Sequence, residues 1–242
     1  RDIDYLKAQL EIREETWIKR LPLVLAKAFE DSFDRGDQAV IIEPFCEMVA
    51  RWINIGRYPQ VLELYGEVCE HLPNTSARNE LAGQAFGDQQ IRLVLEGLRQ
   101  MSADEDLGAV GLGVQCLMQD LDERYLSLVL EALGQTRSPD VQQALLNYAM
   151  RFLEGRENEL GVLLVSANDT LGTQILDILE QLQGPSVLAA LRRGTTSRNP
   201  EIWTRALRIR LKRGSGEMLR DLKRLLDHRT PEVRETVLDL LG

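Results

Sequence analysis

The second half of the chain repeats one pattern of apolar positions. Val110, Val141, Leu171, Ile202 and Val233 follow one another at intervals of 31, 30, 31 and 31 residues. Four positions after each come Val114, Leu145, Ile175, Ala206 and Val237, and three further on come Leu117, Tyr148, Ile178, Ile209 and Leu240. Apolar residues at i, i+4 and i+7 line one face of a helix. A fixed period of about 30 residues is the sequence sign of a stacked array of helical units. The pattern therefore predicts five units, each ending in a helix with one buried stripe.

Within each unit a first helix precedes the ladder helix. The first helices are predicted near 89–101, 122–133, 157–167, 185–193 and 217–227, and the second near 106–118, 139–153, 170–182, 200–212 and 231–241. The joints Ser138-Pro139-Asp140, Asn168-Asp169-Thr170, Asn199-Pro200-Glu201 and Thr230-Pro231-Glu232 each offer a capping side chain. Three of them add Pro in the first turn, where its missing N–H costs nothing, and the acids that follow suit the positive end of the helix.

Before this array the pattern is helical but irregular. Helices are expected over 1–19, from Pro22 to about Phe33, from about Gln38 to Ile55, and from Pro59 to Leu72, with a turn at Asp34-Arg35-Gly36-Asp37. Pro44 predicts a kink or a break in the third of these. Pro73-Asn74-Thr75-Ser76 reads as a linker in which Thr75 or Ser76 caps the next helix. The domain expectation is an irregular lead-in over 1–86, which divergent units would also explain, followed by about five repeats over 87–242.

The stretch Asp227-His228-Arg229-Thr230-Pro231-Glu232-Val233-Arg234, with Val237 and Leu240-Leu241 behind it, resembles the joint and second helix of a HEAT repeat. Pro139-Asp140-Val141 and Pro200-Glu201-Ile202 are similar. The resemblance covers about 89–242. It implies an all-α fold, a right-handed α-α superhelix in which second helices line the concave side, and it implies scaffold or adaptor roles more often than catalysis. The family's Asp–Arg ladder between repeats is matched here only by Asp227 and Arg234. The positions equivalent to Arg234 are Gly111, Gln142, Gly172 and Trp203, so that ladder is mostly absent.

On the second helices the positions two, six and ten after each anchor form a polar stripe. It reads Gln143, Asn147, Arg151; Thr173, Asp177, Gln181; Thr204, Arg208, Lys212; and Glu235, Asp239. Extended concave faces are what solenoids use for binding. The candidate partner-binding residues are Gln143, Asn147, Arg151, Asp177, Gln181, Trp203, Arg205, Arg208 and Lys212. Two readings of Trp203 stay open: an interface anchor, or a large side chain filling space beside the short helix at 185–193. One unit earlier the same stripe is Leu112, Cys116 and Asp120, either covered by the lead-in helices or exposed as an apolar patch.

Charge adds a gradient to this picture. The 242 residues carry a net −9. From Gly184 onward there are 13 basic and 7 acidic side chains, a net +6, against 16 basic and 31 acidic before it, a net −15. Such a gradient can orient a partner. Cys46, Cys69 and Cys116 are an odd number at wide spacing, without a disulfide or zinc pattern. They read as small core residues in a reducing, cytoplasmic setting. No apolar run approaches the ~20 residues that span a membrane. The chain starts at Arg1 rather than Met and stops inside a helix, which suggests a piece of a longer protein.

Recognisable catalytic chemistry is missing. The two histidines, His71 and His228, are far apart and neither precedes Glu. Gly111-Leu112-Gly113 follows a helix rather than a strand, so it is no dinucleotide fingerprint. No phosphate loop or nucleophile signature occurs. We therefore expect no catalytic, cofactor-binding or metal-binding residues, no cofactor and no enzymatic activity. The expected function is a non-catalytic protein–protein interaction scaffold or adaptor within a larger protein or assembly. The partner expected is another protein, with no membrane partner and with an oligomer left open. The alternative is a nucleic-acid-binding HEAT-like protein of the DNA-repair glycosylase type. It would use Trp203, Arg205, Arg208, Arg210, Lys212 and Arg213, against the electrostatic cost of an acidic body.

Overall fold

The computed structural model describes residues 21–33, 39–101, 107–214, 222–223, 226–227, 234–235 and 237–239. Among them every regular element is a helix. These are α1 (21–33), α2 (Ala39–Asn54), α3 (Tyr58–His71), α4 (Thr75–Ala85), α5 (Asp88–Gln100) and α6 (Gly108–Asp120). A 3-10 turn at Glu123–Tyr125 leads into α7 (Leu126–Leu133), followed by α8 (Pro139–Met150), α9 (Asn158–Leu164), α10 (Asp169–Gln181), α11 (Pro185–Gly194) and α12 (Pro200–Arg213). The expected helix at 1–19, the turn at 34–37, the joint at 228–233 and the ladder positions Val233 and Leu240 lie outside the described residues. Contacts divide the chain into two compact units, 1–149 and 150–242. The division at 86/87 read from the sequence follows the repeat period, which is a different property from contact density.

The helices form where the pattern puts them, and the middle position of the ladder explains why. Val114, Leu145, Ile175, Ala206 and Val237 are each 0 % exposed. Val141, Leu171, Ile202, Leu117, Tyr148 and Ile209 are buried as well, while Val110 and Ile178 are half-buried. Burying a Val, Leu or Ile side chain contributes roughly 1.5–3 kcal/mol, more than the few tenths by which helix propensities of ordinary residues differ.

In the first unit, α2 buries Ile42, Phe45, Val49 and Ile53 along one stripe. It runs without interruption through Pro44, so the expected break does not occur. Pro44 leaves the carbonyl of residue 40 without its helical donor, and Val40, 74 % exposed, sits where water can serve it instead. Asn74 caps α4, its carboxamide oxygen accepting from Ser76 N at 3.0 Å and Ala77 N at 3.2 Å. The expected caps, Thr75 and Ser76, instead form the first turn. Asn places its acceptor where two free N–H groups converge, which is why it ranks above Thr as a cap.

Helix α3 is buried around most of its circumference, by Val61, Leu62, Leu64, Tyr65, Gly66, Val68 and Cys69. Its closest neighbour is α6. A Cβ placed on Gly66 would come within 2.9 Å of Gly113 N, and one on Gly113 would overlap the Leu62 carbonyl. Helix axes ordinarily stay about 8–10 Å apart because side chains separate them. Here a glycine on each helix lets backbone meet backbone. The lead-in thus covers the Leu112–Cys116–Asp120 stripe, leaving Leu112 and Cys116 half-buried and Asp120 only 6 % exposed.

In the second unit α11 lies against α9 and α12, and α10 packs on α12. The core is built from Leu160, Leu164, Leu171, Ile175, Leu176, Leu179, Val187, Leu191, Ile202 and Leu207. Asn168 caps α10 through Leu171 N at 2.8 Å, and Asn199 caps α12 through Glu201 N at 3.0 Å. Gly214, at φ 61°, ends α12 in the left-handed conformation that side chains disfavour.

The glycine crossing makes a direct prediction. Gly113→Ala forces α3 and α6 apart and destabilises the chain by about 1–3 kcal/mol despite its better helix propensity. Gly83→Ala, on an exposed helical position with nothing within 4 Å of the new Cβ, raises stability by up to about 1 kcal/mol. Urea denaturation of the two variants reads both signs; equal effects would contradict the crossing.

Candidate functional site

Two clusters of polar side chains stand out, one in each unit. In the second unit the polar stripe lies along α10 and α12. Asp177 and Gln181 on α10 and Arg208 and Lys212 on α12 are exposed, whereas Arg205 is half-buried. Arg205 is ion-paired with Asp177 and with Glu180, the latter at 3.2 Å, and Lys212 reaches Glu180 at 3.4 Å. The hydrogen bond from Arg205, then that from Lys212, holds the Glu180 carboxyl below its usual range, and the bond to Asp177 pushes the Arg205 guanidinium up. Exposed pairs of this kind add little stability. They fix the side chains of one helix against those of the next.

The basic cluster read from the sequence separates into distinct environments. Trp203 is half-buried and packs with Leu211 and Leu226 against Leu207, Leu222 and Val237. These packing partners belong to α12 and to residues after it, rather than to the short helix at 185–193 named in the sequence reading. Arg210 is buried, 3 % exposed. Arg213 donates through one terminal nitrogen to the carbonyls of Leu179 at 2.6 Å, Glu180 at 3.0 Å and Leu182 at 2.7 Å, satisfying the open C-terminal end of α10. Arg208 and Lys212 point outward.

Gln143 and Asn147 are exposed on α8 and hydrogen-bond each other at 2.8 Å. Arg151, also exposed, stacks over the Phe152 ring with its guanidinium carbon 4.8 Å from the centroid. The positions equivalent to Arg234 in the repeat period serve the joints and the packing. Gln142 is buried and donates to Thr136 O at 2.7 Å, closing the joint before α8. A Cβ on Gly172 would strike the Ile202 side chain, so its absence makes room for the next ladder anchor. Asn199 also donates to Asp169, linking the starts of α12 and α10.

The cluster in the first unit was not anticipated as a group. Asp120, at the end of α6, is buried with a side chain 1 % exposed. Its Oδ2 accepts from Tyr65 OH at 2.8 Å and lies 3.7 Å from Cys69 Sγ. Its Oδ1 lies 3.4 Å from Arg78 Nε, an ion pair by distance but out of line for a hydrogen bond. The titrations of the Cys69 and Cys116 thiols are linked. Cys116, then burial, pushes the Cys69 thiol up, while Cys69 lowers that of Cys116 against its own partial burial. Burial first, then the neighbouring Cys69 and the Asp120 carboxylate, raises the Tyr65 phenol well above its ordinary value. The ring meets Phe86 edge-on, with centroids 5.2 Å apart.

A sequence signal for this cluster exists. Gly66-Glu67-Val68-Cys69 and Gly113-Val114-Gln115-Cys116 share the spacing Gly-x-x-Cys. That spacing puts a thiol one turn beyond each crossing glycine. Among the described residues, no group of three or more His, Cys, Asp and Glu is placed to hold a metal ion, and no helix is long and apolar enough to cross a membrane.

No protein-family model matches the chain, and no curated protein or solved structure matches it either.

The raised phenol gives a pH prediction. Tyr65 stays protonated in the folded chain at a pH where the unfolded chain has ionised it. Its contribution is therefore complete below about pH 10 and lost as pH rises toward the folded value. The thermal midpoint should fall above that pH. Tyr65→Phe should lower stability near neutrality by about 1–2 kcal/mol through the lost bond to Asp120, and should flatten the alkaline fall. An unchanged alkaline slope would refute the assignment.

Proposed function

We propose that the chain is a non-catalytic protein–protein interaction scaffold or adaptor. Its helix pairs stack as a HEAT-like right-handed α-α superhelix, and the exposed polar stripe of the second helices receives the partner. The observation that carries this reading is the shared register of burial. Four residues after each ladder anchor the side chain is fully buried, and six residues after it Asn147, Asp177, Arg208 and Asp239 are exposed. A repeated alternation of this kind is what a stacked array needs in order to hide one stripe and offer another. The fold class itself argues for no particular partner.

The environments of the basic residues favour a protein partner over nucleic acid. Phosphate binding draws on free Lys and Arg side chains. Arg205 faces carboxylates, Arg210 is buried and Arg213 faces carbonyls. The depression between α5 and α7, about 190 Å³, is open, and its Arg99 and Glu131 pair with each other at 3.2 Å.

Arg205 is a poor residue on which to test the face, since a charge of opposite sign there would confront Asp177 and Glu180. The double variant Arg208→Glu, Lys212→Gln changes two exposed positions without setting a negative charge against Glu180. Affinity capture with the full-length protein should recover a protein partner, and the double variant should lower its recovery at least about tenfold without moving the melting temperature. Undiminished capture would overturn the proposed surface. A steeply salt-dependent shift of DNA or RNA, lost in the same variant, would replace the protein partner with nucleic acid.

A further inference from the structure

The scaffold reading gives no use to the thiol pair between α3 and α6. We propose that Cys69 and Cys116 are an oxidisable dithiol, in which a hydroperoxide attacks at Cys116 and Cys69 then closes an intrachain disulfide between the two helices. Three features of the structure carry this.

The first is enforced proximity. Cys69 and Cys116 stand three residues beyond Gly66 and Gly113, on the crossing side of their helices. Two short side chains on neighbouring helices rarely meet, and a disulfide needs Cα atoms only about 4.4–6.8 Å apart. The backbone contact at the glycines brings the two helices that close, and Cys69 Sγ lies 3.7 Å from Asp120 Oδ2, one turn beyond Cys116 on α6.

The second feature is asymmetry. Cys69 is buried and Cys116 is half-buried, so one thiol is reachable from outside and the other waits behind it. This is the layout of an attacked cysteine with a resolving partner. The surrounding charges point the same way. The influence of Cys69, first of all, offsets the burial of Cys116 and lowers its titration, and Cys116 faces the Arg78 guanidinium as well as the carboxylates of Asp120 and Glu70. Cys69 faces Asp120, Tyr65 and Cys116, and stays a thiol. Thiolate character and access together decide which cysteine a peroxide finds first.

The third feature is an internal reference. Cys46 on α2 is also half-buried, but burial and Glu43 raise its thiol, and no second cysteine lies beside it.

The chemistry balances with one hydroperoxide. The Cys116 thiolate attacks the terminal peroxide oxygen; an S–O bond forms, the O–O bond breaks, and the alkoxide leaves and takes up the proton that Cys116 had released. Cys116 is then a sulfenic acid. The Cys69 sulfur attacks the Cys116 sulfur; the S–S bond forms, the S–O bond breaks, and hydroxide leaves as water with the Cys69 proton. The Asp120 carboxylate, beside that S–H, is placed to hold the proton in passage. The dithiol has lost two electrons, and the peroxide has become an alcohol and water. With hydrogen peroxide both products are water. A disulfide that forms in this way is at home in a reducing compartment, where such bonds are transient and sensing.

The test uses the full, reduced chain, with hydrogen peroxide as probe and peptide mapping without reductant. The expected result is a peptide pair joined through Cys69 and Cys116, with Cys116 consumed about tenfold faster than Cys46 or more. In Cys69→Ala, Cys116 should accumulate as a sulfenic acid that dimedone traps, and no intrachain disulfide should form. Cys69 and Cys116 remaining reduced while Cys46 reacts, or cross-links running only between separate chains, would overturn the proposal. The mapping on the unaltered chain decides this even where the variant folds poorly.

Discussion

Each second helix of this chain has one apolar stripe to hide, and it hides it at a period set by the sequence. The fully buried residues Val114, Leu145, Ile175, Ala206 and Val237 mark the centre of that stripe. Once it is fixed, much else follows. The joints must turn the chain back within a few residues, which brings Asn168 and Asn199 to cap the ladder helices. Residues about one period apart become neighbours. Asn158 N donates to Ser186 Oγ at 3.0 Å, and the Arg205–Asp177 and Asn199–Asp169 pairs repeat that separation. These polar links are each weak. Their regularity comes from the apolar register that places them.

The family resemblance and the structure meet at the positions where the resemblance is thinnest. A polar ladder between repeats would need long side chains early in each second helix. Gln142 closes its own joint, Gly172 yields space to Ile202, and Trp203 fills a small apolar cluster. Apolar contact takes over the work that ion pairs would do. The same substitution of closeness for polarity is carried furthest at α3 and α6, where glycine meets glycine. That crossing brings a buried acid, a phenol and two thiols together, with Arg78 of α4 beside them. A buried carboxylate requires partners, and Asp120 has them in Tyr65, Cys69 and Arg78.

The helices were legible because their signals are local. Period, capping residues and prolines lie within a few positions of the structure they specify, so α5 and α7 to α12 appear close to where the pattern puts them. Pro44 does not break α2, because the cost of proline depends on whether water can reach the carbonyl it orphans, and sequence does not give exposure. The cap at Asn74 was misassigned among three adjacent capping residue types. Of the candidate partner-binding residues, Gln143, Asn147, Arg151, Asp177, Gln181, Arg208 and Lys212 are exposed, as a polar stripe should be. Arg205 and Trp203 are engaged within the chain instead, Arg205 through Asp177 and Glu180, 28 and 25 residues away, and Trp203 through an apolar cluster that reaches from Leu207 to Val237. The thiol–carboxylate cluster joins residues 51 and 55 positions apart. Its only local trace is the doubled Gly-x-x-Cys spacing, which gains meaning once the two helices are known to cross.

Stripe burial as the organising constraint is tested most directly by native-state hydrogen exchange along the whole chain. Protection should be greatest at the amides of Val114 and Leu145 in the first unit and Ile175 and Ala206 in the second. It should fall off toward exposed sites such as Val162, where local opening is cheap. Ladder amides that exchange as fast as those exposed sites would contradict the account.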